Sequence, residues 1–179
     1  IIFSPLMSLP LDIYAPSLPA IADYFFVSYL SVKISLLAFW VGFGVGQPLT
    51  GLFIDRSPRR RMLIISFSVL VVSALLATLM HSVNAMIIMR VLQGMACACI
   101  AAAIKAVMMD SFEGHDLAKV TNYYSLGWSL TPIFAPFIGG YLQFYIGWQA
   151  SFIFIAVYAL LAVVLCLLLL KETMHTSFK

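Results

Sequence analysis

Six apolar runs separated by short polar breaks make up almost the whole chain: Ile1–Ala22, Ile34–Ile54, Met62–Met80, Ala85–Met109, Val120–Ile146 and Ala150–Leu170. A bilayer core is crossed by roughly 20 apolar helical residues, so each run predicts one spanning helix. No low-complexity linker or soluble domain interrupts them, and the expected fold is an all-α integral membrane bundle of six helices over residues 1–179. The first run differs from a cleavable signal peptide. It lacks a basic start and a small-residue cleavage site, and it carries Asp12 and several prolines in its body. Because it begins with Ile1, we expect a first helix truncated at its start. Gly42-x-x-x-Gly46 and the small residues from Ala96 to Ala106 predict close helix packing in lipid.

Composition narrows the class further. Hydrophobic residues are 63% of the chain and charged residues 9%, with a mean hydropathy of +1.05, too little polar surface to coat a water-soluble globule. The net charge of +3 does not predict a nucleic-acid partner, because the basic residues gather near helix ends and not on a broad face with interleaved aromatics. The charge that matters is local. Between the second and third runs, Gly51 to Arg61 holds Asp55 with Arg56, Arg59, Arg60 and Arg61, the mark of a short cytoplasmic connection. Alternating sides then puts Asp110–Lys119 and the Lys171–Lys179 tail inside, and leaves Lys33 as the only basic residue of the opposite connections. The expected topology is in-to-in, with both ends cytoplasmic.

Enzyme chemistry has no foothold in this pattern: no nucleophile and base pair, phosphate loop or metal-ligand spacing is present, so neither a cofactor nor a metal is expected. Cys97, Cys99 and Cys166 lie inside apolar runs, as small packing residues do. The ionisable groups within the runs are Asp12, Arg90 and Lys105. Each costs about 2.5–3.5 kcal/mol near a helix centre, which a membrane segment tolerates when the group faces water, a partner or a substrate. Asp12 in such a place can take up and release a proton. Arg90 either snorkels to the outer interface or works with Gln93, three residues on and on the same helix face. Lys105 lies nearer the inner end, where snorkelling accounts for it. Pro132, Pro136, Gly139 and Gly140 predict a bent fifth helix, and Trp148 an anchor at the outer interface.

Several of these motifs together resemble the major facilitator superfamily, and within it the drug:proton antiporters of the Bcr/CflA type. Leu11-Asp12-Ile13-Tyr14-Ala15-Pro16-Ser17-Leu18-Pro19 resembles the first-helix signature of that group, which implies that Asp12 lies at a central cavity. Gly51 to Arg61 is similar to the superfamily's loop between helices two and three, with Asp55, Arg56, Arg59 and Arg60 matching and Pro58 in place of a glycine. Arg90-x-x-Gln93-Gly94 is similar to the fourth-helix motif linked with proton coupling. Asp110 resembles the acidic residue that closes that helix and pairs with the loop arginine, here Arg56. Gly127 to Gly140, containing Thr131-Pro132 and Ala135-Pro136-x-x-Gly139-Gly140, is similar to the fifth-helix antiporter motif.

The resemblance implies the amino-terminal half of a twelve-helix carrier, with substrate bound between two six-helix domains and access alternating by rocking. The expected function is proton-coupled efflux of small organic molecules or drugs. Asp12 and Arg90 would carry coupling, with Tyr14, Gln47 and Gln93 as cavity-lining candidates. Gly51, Asp55, Arg56, Arg59, Arg60 and Asp110 would form a cytoplasmic gating cluster. The expected partners are a small-molecule substrate, protons, the lipid bilayer and a second six-helix domain or a second copy. Two other readings stay open at this point: a proton-driven importer of a metabolite such as a nucleoside or sugar, and a non-transporting half-bundle.

Overall fold

The computed structural model describes residues 9–54 and 57–170. Where one continuous first helix is expected, the described residues form a helical segment, Leu9–Asp12 (α1), a 3-10 turn, Ala15–Ser17, and a short helix, Leu18–Phe25 (α2). Proline is the reason. Pro16 and Pro19 bring no N–H to the carbonyls of Asp12 and Ala15, so the ladder cannot continue through them. α2 closes on Phe26, whose φ of 53° is left-handed, while the Phe26 and Val27 amides donate to the Asp23 and Ala22 carbonyls. Glycine is the usual residue at such a closure, yet here a phenylalanine with 95% of its surface exposed occupies it.

Five long helices follow: Tyr29–Ile54 (α3), Arg59–Leu79 (α4), Val83–Ser111 (α5), Gly114–Tyr145 (α6) and Gln149–Leu169 (α7). Ser28 starts α3 by accepting the Ser31 N–H on its hydroxyl at 3.2 Å, a side-chain cap for an otherwise orphaned donor. Gly147, at φ 118°, turns the chain from α6 into α7, and its amide donates to the Leu142 carbonyl. Several helices extend beyond the apolar runs that predict them, because a first turn such as Gly114–Lys119 is helical without being apolar. Among the described residues α3, α4, α5 and α7 are long and apolar enough to cross a membrane.

The helix predicted to be bent, α6, runs unbroken through Pro132 and Pro136 over 32 residues. Each proline removes one backbone donor and leaves the neighbouring turns bonded. Just before the first of them, Thr131 Oγ1 donates to the Gly127 carbonyl at 2.8 Å.

Many small residues lie inside the bundle, beside large buried ones such as Phe67 and Phe152. On α7, Ala156, Ala159 and Ala162 are buried while Leu160, Leu161 and Leu168 are exposed. Without water between helices, association relies on close van der Waals contact, and small side chains permit it. The most extensive contact, α3 on α5, is built this way. A Cβ on Gly42 would collide with the Val91 carbonyl, one on Gly94 with the Phe39 carbonyl, and one on Gly46 would reach the Ala98 Cβ at 2.8 Å. α4 packs between α5 and α7, and α6 rests mainly on α1 and the 3-10 turn. Two apolar clusters result. The larger joins α3, α4, α5 and α7, and the smaller gathers Tyr14, Leu18, Ile21, Met86, Trp148 and Phe152.

Trp148, expected at the membrane interface, is only 4% exposed. Its ring sits among Tyr24, Phe25 and Phe152, with centroids 5.2 to 6.0 Å away. The turn at Gly147 directs it inward under α2, so the ring packs against protein and not against lipid.

Candidate functional site

Arg90 is fully buried, with no exposed surface. Snorkelling is therefore not what this side chain does. One guanidinium nitrogen, Nη1, donates to the Pro10 carbonyl at 2.9 Å and to Gln93 Oε1 at 2.7 Å. The first acceptor is available because α1 ends at Asp12, and the last carbonyls of a helix lack intrahelical amide partners. The second comes from helical spacing, since residues three apart share a face. A broken first segment thus supplies what an intact helix would have kept for itself.

The guanidinium also lies against aromatic rings. Its central carbon is 3.8 Å from the Tyr14 ring centroid, 5.0 Å from Phe152 and 5.8 Å from Phe39. A desolvated cation over such faces gains about 2 kcal/mol per well-placed ring, and here Tyr14 is the near one. Tyr14 is held in turn. Ser35 donates its hydroxyl proton to the Val32 carbonyl at 2.6 Å, so in the 2.7 Å contact between Tyr14 and Ser35 the phenol is the donor. Nε and Nη2 of Arg90 and Nε2 of Gln93 are buried with no hydrogen-bond partner among the described residues. These donor groups around one fixed cation leave the centre able to give several further hydrogen bonds.

Asp12 ends α1, two residues before Tyr14 and two after the Pro10 carbonyl that Arg90 holds, and it is part-buried. The fifth-helix motif meets this same segment. Gly139 of α6 lies so close to the Ile13 backbone that a Cβ would strike the Ile13 carbonyl, whereas Gly140 has open space around it. The backbone on either side of Asp12 is therefore clamped by α6 through Gly139 and by α5 through Arg90.

Gln47 does not join this centre in any described contact. It is part-buried on α3, eight residues beyond Phe39, which is about 12 Å along a helix. The charge cluster of the arginine-rich connection forms separately. Arg59 Nε and Asp110 Oδ2 are 3.1 Å apart, with side chains 10% and 25% exposed. The resemblance implied Arg56 for that role; Asp55 and Arg56 lie outside the described residues, and among those described the partner of Asp110 is Arg59. Arg60 instead donates to the Leu167 carbonyl at 2.7 Å and to that of Cys166 at 3.4 Å. It tethers the start of α4 to the end of α7, where orphan carbonyls and the negative end of the helix dipole favour a cation. Gly51 is exposed on α3, with open space where a side chain would go.

Sequence reasoning missed Ser35, Phe39, Phe152 and the Pro10 carbonyl. A serine inside an apolar run is a visible signal for Ser35. For the other three nothing in the residue types distinguishes them from ordinary packing.

Known proteins agree with this architecture. A family model described as the Major Facilitator Superfamily matches residues 5–178. Similar curated proteins include a bicyclomycin resistance protein homolog of Haemophilus influenzae, 33% identical over 172 residues that are 96% of this chain and 43% of that protein. The MFS-type transporter YdgK of Bacillus subtilis is 30% identical over 93% of this chain and 42% of its own length. Multidrug resistance protein MdtL of Klebsiella pneumoniae is 25% identical over 93% of the chain and 43% of its length. The chain thus spans less than half the length of these relatives. Among solved structures, a bacterial homolog of the human lysosomal transporter Spinster, in an inward-facing and unoccupied conformation, superposes with a TM-score of 0.79 at 17% identity, over 96% of this chain and 41% of that one. The solved structure shares the helical fold, and the chain belongs to the major facilitator superfamily.

Proposed function

We propose that this chain is the amino-terminal six-helix half of a proton-coupled exporter of small organic molecules. The observation that carries the reading is the buried Arg90 centre, which binds the backbone beside Asp12 and keeps donors in reserve. Arg90 holds the Pro10 carbonyl, two residues before the part-buried Asp12. Asp12 is the proton site, taking up and releasing a proton as access changes. Arg90, with Tyr14 and Gln93, is a positioning group that fixes the backbone around it. Arg59 and Asp110 form the ion pair of the gating cluster, which with Gly51, Asp55, Arg56 and Arg60 holds one access state on the cytoplasmic side of a bacterial inner membrane.

Support for export comes from the relatives whose names speak of bicyclomycin and multidrug resistance. Everted membrane vesicles containing the full-length protein test it, with bicyclomycin and unrelated cytotoxic compounds as first substrates. Addition of a substrate should release part of an imposed proton gradient, and Asp12→Asn should abolish that release. Proton movement that survives Asp12→Asn removes Asp12 from coupling. Expression that raises tolerance to no compound removes the efflux reading.

A further inference from the structure

We propose that the cleft between α5 and α6 around Lys105 binds the anionic group of amphipathic aromatic substrates, so that the carrier favours organic acids over their neutral counterparts. This deepens the carrier reading above and rests on it. The cleft encloses about 320 Å³, at the lower end of the size of small-ligand pockets. Lys105 lines it together with Trp128, Tyr124, Thr121, Met108 and Met109.

The site joins the groups such a ligand needs. Among the described residues that line it, Lys105 is the only basic one, and it lies within a helix apolar enough to cross a membrane. The nearest acidic residue further along α5 is Asp110, and its carboxylate is already held by Arg59 at 3.1 Å. The ammonium makes no ion pair or hydrogen bond with a described residue. It therefore presents its donors to the cleft with no anion among the described residues paired to them. Trp128 and Tyr124, on α6, supply aromatic surface for a ring, and methionine side chains adapt to ligands of varied shape. Thr121 adds a hydroxyl on the same wall. The cleft is separate from the Arg90 centre: Lys105 is fifteen residues along α5 from Arg90, about 22 Å at the helical rise.

Equilibrium binding to the purified full-length protein tests this with two probes that share a ring system and differ in charge, naphthoate and naphthamide. Naphthoate should bind about tenfold more tightly than naphthamide, the worth of one charge-assisted hydrogen bond. Lys105→Met should bring the two affinities together by weakening naphthoate alone, and Lys105→Arg should keep them apart. Trp128→Ala should weaken both probes and leave their ratio unchanged. Equal affinities in the unmodified protein overturn the proposal, as does a preference that persists in Lys105→Met. If Lys105→Met does not fold, Lys105→Gln carries the same comparison. Binding does not depend on transport, so the two readings fail separately. A protein that transports yet shows no preference overturns only the Lys105 site. One that shows the preference yet transports nothing overturns only the carrier reading.

Discussion

Replacing Gly139 with alanine should destabilise the protein, while the same change one residue later at Gly140 should not. The two glycines belong to one motif, and the structure separates them. A Cβ on Gly139 lies 2.8 Å from the Ile13 carbonyl carbon and 3.1 Å from its Cα, and closer still to the carbonyl oxygen. Carbon atoms rest about 3.5–4.0 Å apart, so α6 and the Ile13 backbone must part by about 0.7 Å or more. No rotamer change relieves a clash with backbone. Overpacking of this kind costs about 1–3 kcal/mol, and the gain in helix propensity from glycine to alanine returns about 0.8–1 kcal/mol. Gly140, with nothing within 4 Å, receives only the gain. The two variants should therefore differ by about 1–3 kcal/mol, Gly139→Ala being the weaker. Thermal unfolding of the purified full-length protein, followed by scattering or intrinsic fluorescence, measures the difference as an ordering of midpoints. Gly139→Ala should also slow substrate-driven proton movement, since Asp12 and Tyr14 flank the displaced residue. Midpoints that coincide, or a Gly140→Ala variant that melts first, would refute the packing argument.

The same logic predicts that Gly94→Ala lowers the unfolding midpoint and Gly44→Ala does not, because Gly94 abuts the backbone of Phe39 and Phe43 while Gly44 faces open space. Combining Gly42→Ala with Gly94→Ala should cost less than the sum of the two, since either one already holds α3 away from α5; additive losses would count against a shared interface. Phe26→Gly should raise the midpoint by relieving the left-handed φ of 53°, by an amount worth up to about 1 kcal/mol. An unchanged or lower midpoint would mean that the exposed ring stabilises the turn in another way.

Much of the fold was legible in the residues themselves. Lipid offers no hydrogen bonds, so every spanning segment must be helical and apolar, and the six runs with their polar breaks follow from that single demand. Gly42, Gly46 and the small residues from Ala96 to Ala106 marked close helix packing, because close approach in lipid requires small side chains; that the partners are α3 and α5 came from the structure. Arg90 and Asp12 stood out by the cost of placing charge in an apolar run.

What the sequence determined by itself was thus composition along an axis: which segments enter the membrane, and which few polar groups travel with them. Only the tertiary structure decided where those groups point. A fourth-helix arginine near a span end reads equally well as a snorkelling residue or as a buried one. The choice came from a carbonyl at Pro10, eighty residues away, released by a proline-broken turn. Trp148 was placed inside by the turn at Gly147, and the glycine pair at 139 and 140 was divided by the approach of Ile13 to one of them. Local pattern reports the properties of a segment, whereas burial, partnership and clearance belong to pairs of segments brought together by the fold, and no single run of residues contains them.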